Sequence, residues 1–170
     1  MNTILRFVDL CLFKAGPADV PASQSLLRMS LFIYLVLSVA INRLDSDLNT
    51  SLFVSLAEVF LMMAVTGLLL KFRGHQSRYN QTLTALAGTG SLIAIVGFPV
   101  IWWFFQIEPE QQAMSYAMLL MVVLMFWSLM VTAHIFRQSL DIKPGTAAML
   151  TIAYTVVTLL VTGLVMSGVA

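Results

Sequence analysis

The chain has 170 residues, 59% of them hydrophobic, with nine basic and eight acidic residues and a formal net charge of +1. Soluble domains carry about 25% charged residues, and the 10% found here cannot cover a water-facing surface. The near-zero net charge argues against nucleic-acid binding through a basic patch. The single cysteine, Cys11, excludes an intrachain disulfide framework and a thiolate metal cluster.

Residues 1–25 form a first unit. Arg6, Asp9 and Lys14 interrupt any apolar stretch of the kind a cleaved signal needs. At about 100° per residue, Ile4, Leu5, Val8, Cys11, Leu12 and Ala15 share one side of a helix. This pattern predicts a short amphipathic helix lying on the cytoplasmic leaflet, with partner docking as the functional alternative. Gly16-Pro17 ends it, and Pro21 forces a second turn.

Residues 26–170 contain five stretches able to cross a bilayer, a task that takes about 20 mostly apolar residues. They run over 26–41, 51–70, 82–107, 113–136 and 145–170. The expected fold is therefore all-α, an integral membrane bundle of five transmembrane helices behind a short interfacial helix. Each connection carries stop or turn chemistry: Asn42–Asp47, Lys71-Phe72-Arg73-Gly74-His75, Glu108-Pro109-Glu110, and Asp141–Gly145 with its Pro144.

The cations set the orientation. Arg6, Lys14, Arg28, Lys71, Arg73, Arg78, Arg137 and Lys143 fall on one side of a five-span topology. Arg43 falls alone on the other, with Asp45, Asp47, Glu108 and Glu110. The positive-inside rule then predicts a bacterial cytoplasmic membrane protein with its N-terminus in the cytoplasm and its C-terminus in the periplasm.

Ionisable groups inside spans are functional candidates by default. Glu58 is the deepest, about 20 Å from Lys71 at 1.5 Å per residue. A structural polar clamp and a proton or substrate site are both open readings. Tyr34 and Ser38 in the first span, and Tyr154, Thr155 and Thr158 in the fifth, reach the same depth and could satisfy it. Arg28 is about 13 Å away along the axis, so it is expected to snorkel to headgroups. His134, one turn before Arg137, reads as an interfacial histidine, with pH sensing or ligation as the alternative. Trp102 and Trp103 sit where aromatic anchors favour the interface; a stacking site is the other possibility.

The third span has a narrow waist. Thr84 and Gly88, and then Gly90 and Ala94, have the small-xxx-small spacing that lets helices approach closely. Pro99 removes a backbone hydrogen bond in a span of 26 residues, so a kink or strong tilt is expected there. Packing with a kink is one reading, and a gate or binding crevice the other. The methionines are explained by adaptable packing.

Catalytic chemistry is scarce. His75 lies in a loop and His134 stands alone on its helix, so no nucleophile has a base in reach. No HExxH, CxxC, catalytic carboxylate pair or phosphate loop is present. The expectation is a protein with no enzyme activity, no metal and no cofactor.

The run Tyr79-Asn80-Gln81-Thr82-Leu83-Thr84-Ala85-Leu86-Ala87-Gly88-Thr89, followed at a distance by Pro99, resembles the polar-to-small entry into the middle span of the Yip1-domain family. The five-span topology is similar to that family as well. The resemblance covers about residues 20–170 and implies a non-enzymatic membrane protein, with Gln81, Gly88 and Pro99 as structural positions. Eukaryotic members engage small GTPases, but they carry a long cytoplasmic N-terminal region that this chain lacks, so a bacterial relative fits better.

The sequence thus predicts a scaffold or assembly subunit acting through helix–helix contacts. Its expected partners are membrane lipids and another membrane protein or a second copy of itself. The alternative is a small-solute, proton or lipid conduit centred on Glu58.

Overall fold

The computed structural model describes residues 3–107 and 112–168. The Glu108-Pro109-Glu110 connection and the terminal Ala170 lie outside the described residues. Six α-helices follow in order: α1 (Thr3–Cys11), α2 (Gln24–Asn42), α3 (Leu48–Phe72), α4 (Tyr79–Phe104), α5 (Gln112–Leu140) and α6 (Pro144–Gly168). Short 3-10 turns at Pro17–Asp19 and Gln76–Arg78 complete the secondary structure of the described residues. Helices α2 to α6 are long and apolar enough to cross a membrane, and the chain is a multi-pass helical bundle.

The helix ends follow local chemistry. Ser23 caps α2 by accepting from the Leu26 amide, and Asp47 caps α3 by accepting from the amides of Asn49 and Thr50. Hydrogen bonds from the Thr50 side chain, and then from the Thr50 and Asn49 amides, hold the Asp47 carboxyl below its ordinary range. A depressed carboxyl stabilises the folded chain at neutral pH, and that contribution fades as pH falls through its folded value. At the other end of α3, Gly74 takes a φ of 72°. It lets the His75 amide reach the Leu70 carbonyl at 2.8 Å and the Gly74 amide reach Lys71.

The end of α5 is closed from outside. Arg73 Nε donates to the Leu140 carbonyl and its Nη2 to Asp141, while Arg78 Nη1 donates to the carbonyls of Gln138 and Ser139. Two cations of the α3–α4 connection thereby satisfy orphan carbonyls at the negative end of a helix dipole.

In the bundle, α2, α3, α6 and α5 form a chain of neighbours, and α4 closes it by packing against α2 and α5 with further contacts to α1 and α3. Every residue from Thr82 to Thr89 is buried. A helix covered on all sides needs small side chains and internally satisfied polar groups. Thr84, Thr89 and Ser91 each donate to a carbonyl four residues back, at 2.6–2.7 Å. Helix α4 runs through the exposed Pro99 to Phe104 as one element.

Helix α1 is docked on α4 and α5. Phe7, Leu10 and Cys11 face the bundle, whereas Ile4, Leu5 and Leu12 stay exposed on the side available to lipid. Of the apolar side expected from periodicity, Cys11 and Ala15 are therefore turned into protein. The cause is α4: its glycine surface accepts the large ring of Phe7, so burial follows shape as well as period.

Candidate functional site

Two polar constructions stand out, at opposite ends of the bundle. The first joins α2 and α3. Ser30, Tyr34, Ser38 and Asn42 recur at every fourth residue of α2, and Ser51, Ser55 and Glu58 lie along one side of α3. Packing the two helices brings these rows together. The Ser38 hydroxyl donates to Glu58 Oε2 at 2.6 Å and lies 3.0 Å from the Ser55 hydroxyl. Asn42 Nδ2 donates to Ser55 at 3.1 Å and to Ser38 at 3.3 Å. A serine has one hydrogen, and Ser38 commits its own to the carboxylate, so Ser55 becomes the donor between the two serines. The result is a directed chain from Asn42 through Ser55 and Ser38 to Glu58.

Only one carboxylate oxygen of Glu58 is engaged by that chain. The side chain lines a crevice of about 340 Å³ between α2, α3, α4 and α5. Tyr34, Ser38 and Asn42 line it from α2, Gly90 and Ala94 from α4, and Met121 and Met125 from α5. The crevice lies in the half of the bundle remote from α1. No lysine, arginine or histidine among the described residues contributes to its lining. Among the described residues, no group of three or more histidine, cysteine or acidic side chains could hold a metal ion.

The expected partners of Glu58 separate clearly. Ser38 bonds it, and Tyr34 and Tyr154 face it within electrostatic reach. Thr155 and Thr158 instead donate to their own helix, at the carbonyls of Thr151 and Tyr154, both at 2.9 Å. A threonine in a membrane helix satisfies itself this way without a neighbour. Tyr154 also meets Phe136 edge-on, with ring centroids 5.9 Å apart. Arg28 is exposed near the start of α2, and Trp102 and Trp103 are exposed near the end of α4. Sequence reasoning missed Asn42, which it assigned to a loop, and Ser55. The signal was the four-residue polar spacing on α2 and the Ser55–Glu58 separation of three on α3.

The second construction holds the N-terminal segment. Trp127 Nε1 donates to the Cys11 carbonyl at 3.0 Å. His134 Nε2 lies 3.0 Å from the Ala15 carbonyl and 3.0 Å from Gln138 Nε2. Gln81 Nε2 donates to the carbonyls of Ala18 and Val20. Trp127, His134 and Gln81 sit progressively nearer the helix ends, so the segment climbs along α4 and α5. Phe7 meets Gly88, about 13 Å along α4 from Tyr79 at 1.5 Å per residue. The segment thus packs along α4 as far as Gly88, and side chains of the bundle satisfy its carbonyls.

Phe13 sits at a φ of 61°, an unfavourable backbone for a non-glycine residue. Its ring meets His134 edge-on at 5.4 Å, and its bend lets the Lys14 amide close on the Asp9 carbonyl at 2.8 Å. His134 thereby serves the docked segment from two directions. Burial pushes the Cys11 thiol up to about 11. Trp127→Phe should cost about 1–3 kcal/mol by stranding the Cys11 carbonyl. Thermal unfolding in detergent checks this, and an unchanged midpoint would remove Trp127 from the clamp.

No family model matches the chain, and no curated protein or solved structure matches it.

Proposed function

We propose that this is a conduit or carrier for a small solute, a proton or a lipid, working at Glu58, in the bacterial cytoplasmic membrane. One observation carries the reading: a carboxylate with a single hydrogen-bond partner among the described residues lines a crevice inside a bundle of membrane-length helices. An intramembrane carboxylate is costly to keep unless something exchanges with it. The orientation, with the N-terminus inside and the C-terminus outside, is supported by the cations. Arg73, Arg78 and Lys143 lie at one end of the bundle, and Arg43 at the other with Asp45 and Asp47.

The test is proton flux into reconstituted liposomes under an imposed potential. The wild-type chain should carry a pH-dependent flux, and Glu58→Gln should reduce it to background while the protein remains folded. A flux indifferent to that substitution, or no flux at all, overturns the proposal.

The second reading is a non-enzymatic scaffold of Yip1-like type, joining another membrane protein or a second copy through the small residues of α4. The buried waist of α4 favours such close packing. Against it, Gly88 and Gly90 already receive Phe7 and Tyr34 of the same chain. Dissociation of a purified complex by Gly88→Leu, with no flux from any preparation, would favour the scaffold.

A further inference from the structure

We propose that the Glu58 crevice binds a lipophilic organic cation, and that a proton on Glu58 and the cation exclude each other. This rests on the crevice being the working centre.

Charge comes first. Among the described residues, Glu58 is the only ionic group lining the cavity, and no basic side chain there neutralises it. In a medium of low dielectric, a carboxylate without a counterion attracts a cation strongly and repels an anion. A phosphate-bearing headgroup has the wrong sign and would find no arginine or lysine there.

Polarity narrows the class further. Asn42 is committed to Ser55 and Ser38, and Ser38 to the carboxylate, which leaves the hydroxyls of Tyr34 and Ser128 as the other polar groups of the lining. Two hydroxyls are too few for a sugar or other polyhydroxylated solute, most of whose own hydroxyls would stay unpaired, each at the full cost of its desolvation. A bare metal ion is also a poor match, because it needs a tight shell of about six oxygens. The crevice instead offers one carboxylate in a space of about 340 Å³, a size suited to an organic ligand.

The walls complete the picture. Ile93, Ile101 and Leu124 are apolar, and Met121 and Met125 add adaptable, polarisable surface. Tyr34 contributes an aromatic ring suited to a cation. Such walls select for bulk and apolarity, not for one shape.

The groups facing Glu58 make the exchange a matter of one proton. Tyr34 from α2 and Tyr154 from α6 are the titratable side chains within electrostatic reach. The lining residues of α4 and α5 carry no charge. Cation affinity should therefore fall about tenfold for each unit the pH drops once Glu58 is mostly protonated, with one proton released per cation bound in that range and none above it.

The experiment measures binding of radiolabelled tetraphenylphosphonium to the full chain in detergent, with tetraphenylborate as an anion of the same size and shape. The expected result is saturable binding of the phosphonium, displaced by acid, and no competition from the borate. Glu58→Gln should abolish that binding while Cys11 stays protected from maleimide, which reports an intact fold. Absence of saturable phosphonium binding, persistence of binding in Glu58→Gln, or equal competition by the borate would overturn the inference. Glu58-dependent proton flux without phosphonium binding sinks the inference alone; absence of both sinks the underlying reading too.

Discussion

Gly88→Leu should release the N-terminal segment and expose Cys11. A Cβ at Gly88 would clash with Cε1, Cζ and Cδ1 of the Phe7 ring, so any larger side chain must displace that ring. Phe7 packs on α4 at Gly88, and Cys11 lies one turn further along the same docked side. Overpacking of this kind costs about 1–3 kcal/mol where a neighbour can yield. Here α1 yields, because its hold on the bundle is a few side chains and the Trp127 and His134 contacts.

The readout is alkylation by a membrane-permeant maleimide. In the folded chain Cys11 is 4% exposed, and its thiol is pushed up to about 11. Return toward the ordinary thiol range would raise the thiolate fraction by roughly two orders of magnitude. Labelling should accelerate by that factor, or more as access improves. Phe7→Ala in the same background should restore part of the protection, because the new leucine then occupies the space of the lost ring. Unchanged labelling in Gly88→Leu would mean that the segment is not held at Gly88.

Gly90→Leu should have the opposite profile. A Cβ there would approach Tyr34 Cε2 to 2.8 Å and Cδ2 to 3.1 Å, and Gly90 itself lines the crevice. A leucine therefore displaces the Tyr34 ring and fills space in front of Glu58. Proton flux and phosphonium binding should fall to background although the carboxylate is untouched, while Cys11 stays slow to label. Two residues apart on a helix are about 200° apart around it, so the neighbouring glycines serve different partners. Full binding in a folded Gly90→Leu protein would detach the crevice from the activity.

Much of the architecture was legible before any coordinates. The span predicted at 26–41 is α2, Gln24–Asn42, and the one predicted at 113–136 is α5, Gln112–Leu140. Apolar length, caps and breakers are local properties, and the lipid requirement that backbone groups pair within a segment leaves helices as the ready solution. The stop at Lys71–His75 was legible for the same reason: Gly74 is the residue that tolerates the turn found there.

Depth was also legible, but azimuth was not. Counting residues placed Tyr34, Ser38, Tyr154, Thr155 and Thr158 level with Glu58, yet only Ser38 hydrogen-bonds it. Equal depth on two helices says nothing about which sides face each other. Rotation is set by side-chain packing across helices, as between Gly90 and Tyr34. The N-terminal segment shows the same division. Its helical period was plain in the sequence, but the glycine that receives Phe7 is 81 positions further on, by subtraction of the two residue numbers. Composition and period determined that these rods enter a membrane and roughly where each begins. Only the tertiary structure decided which polar groups meet, because those meetings depend on shape complementarity between segments far apart in the chain.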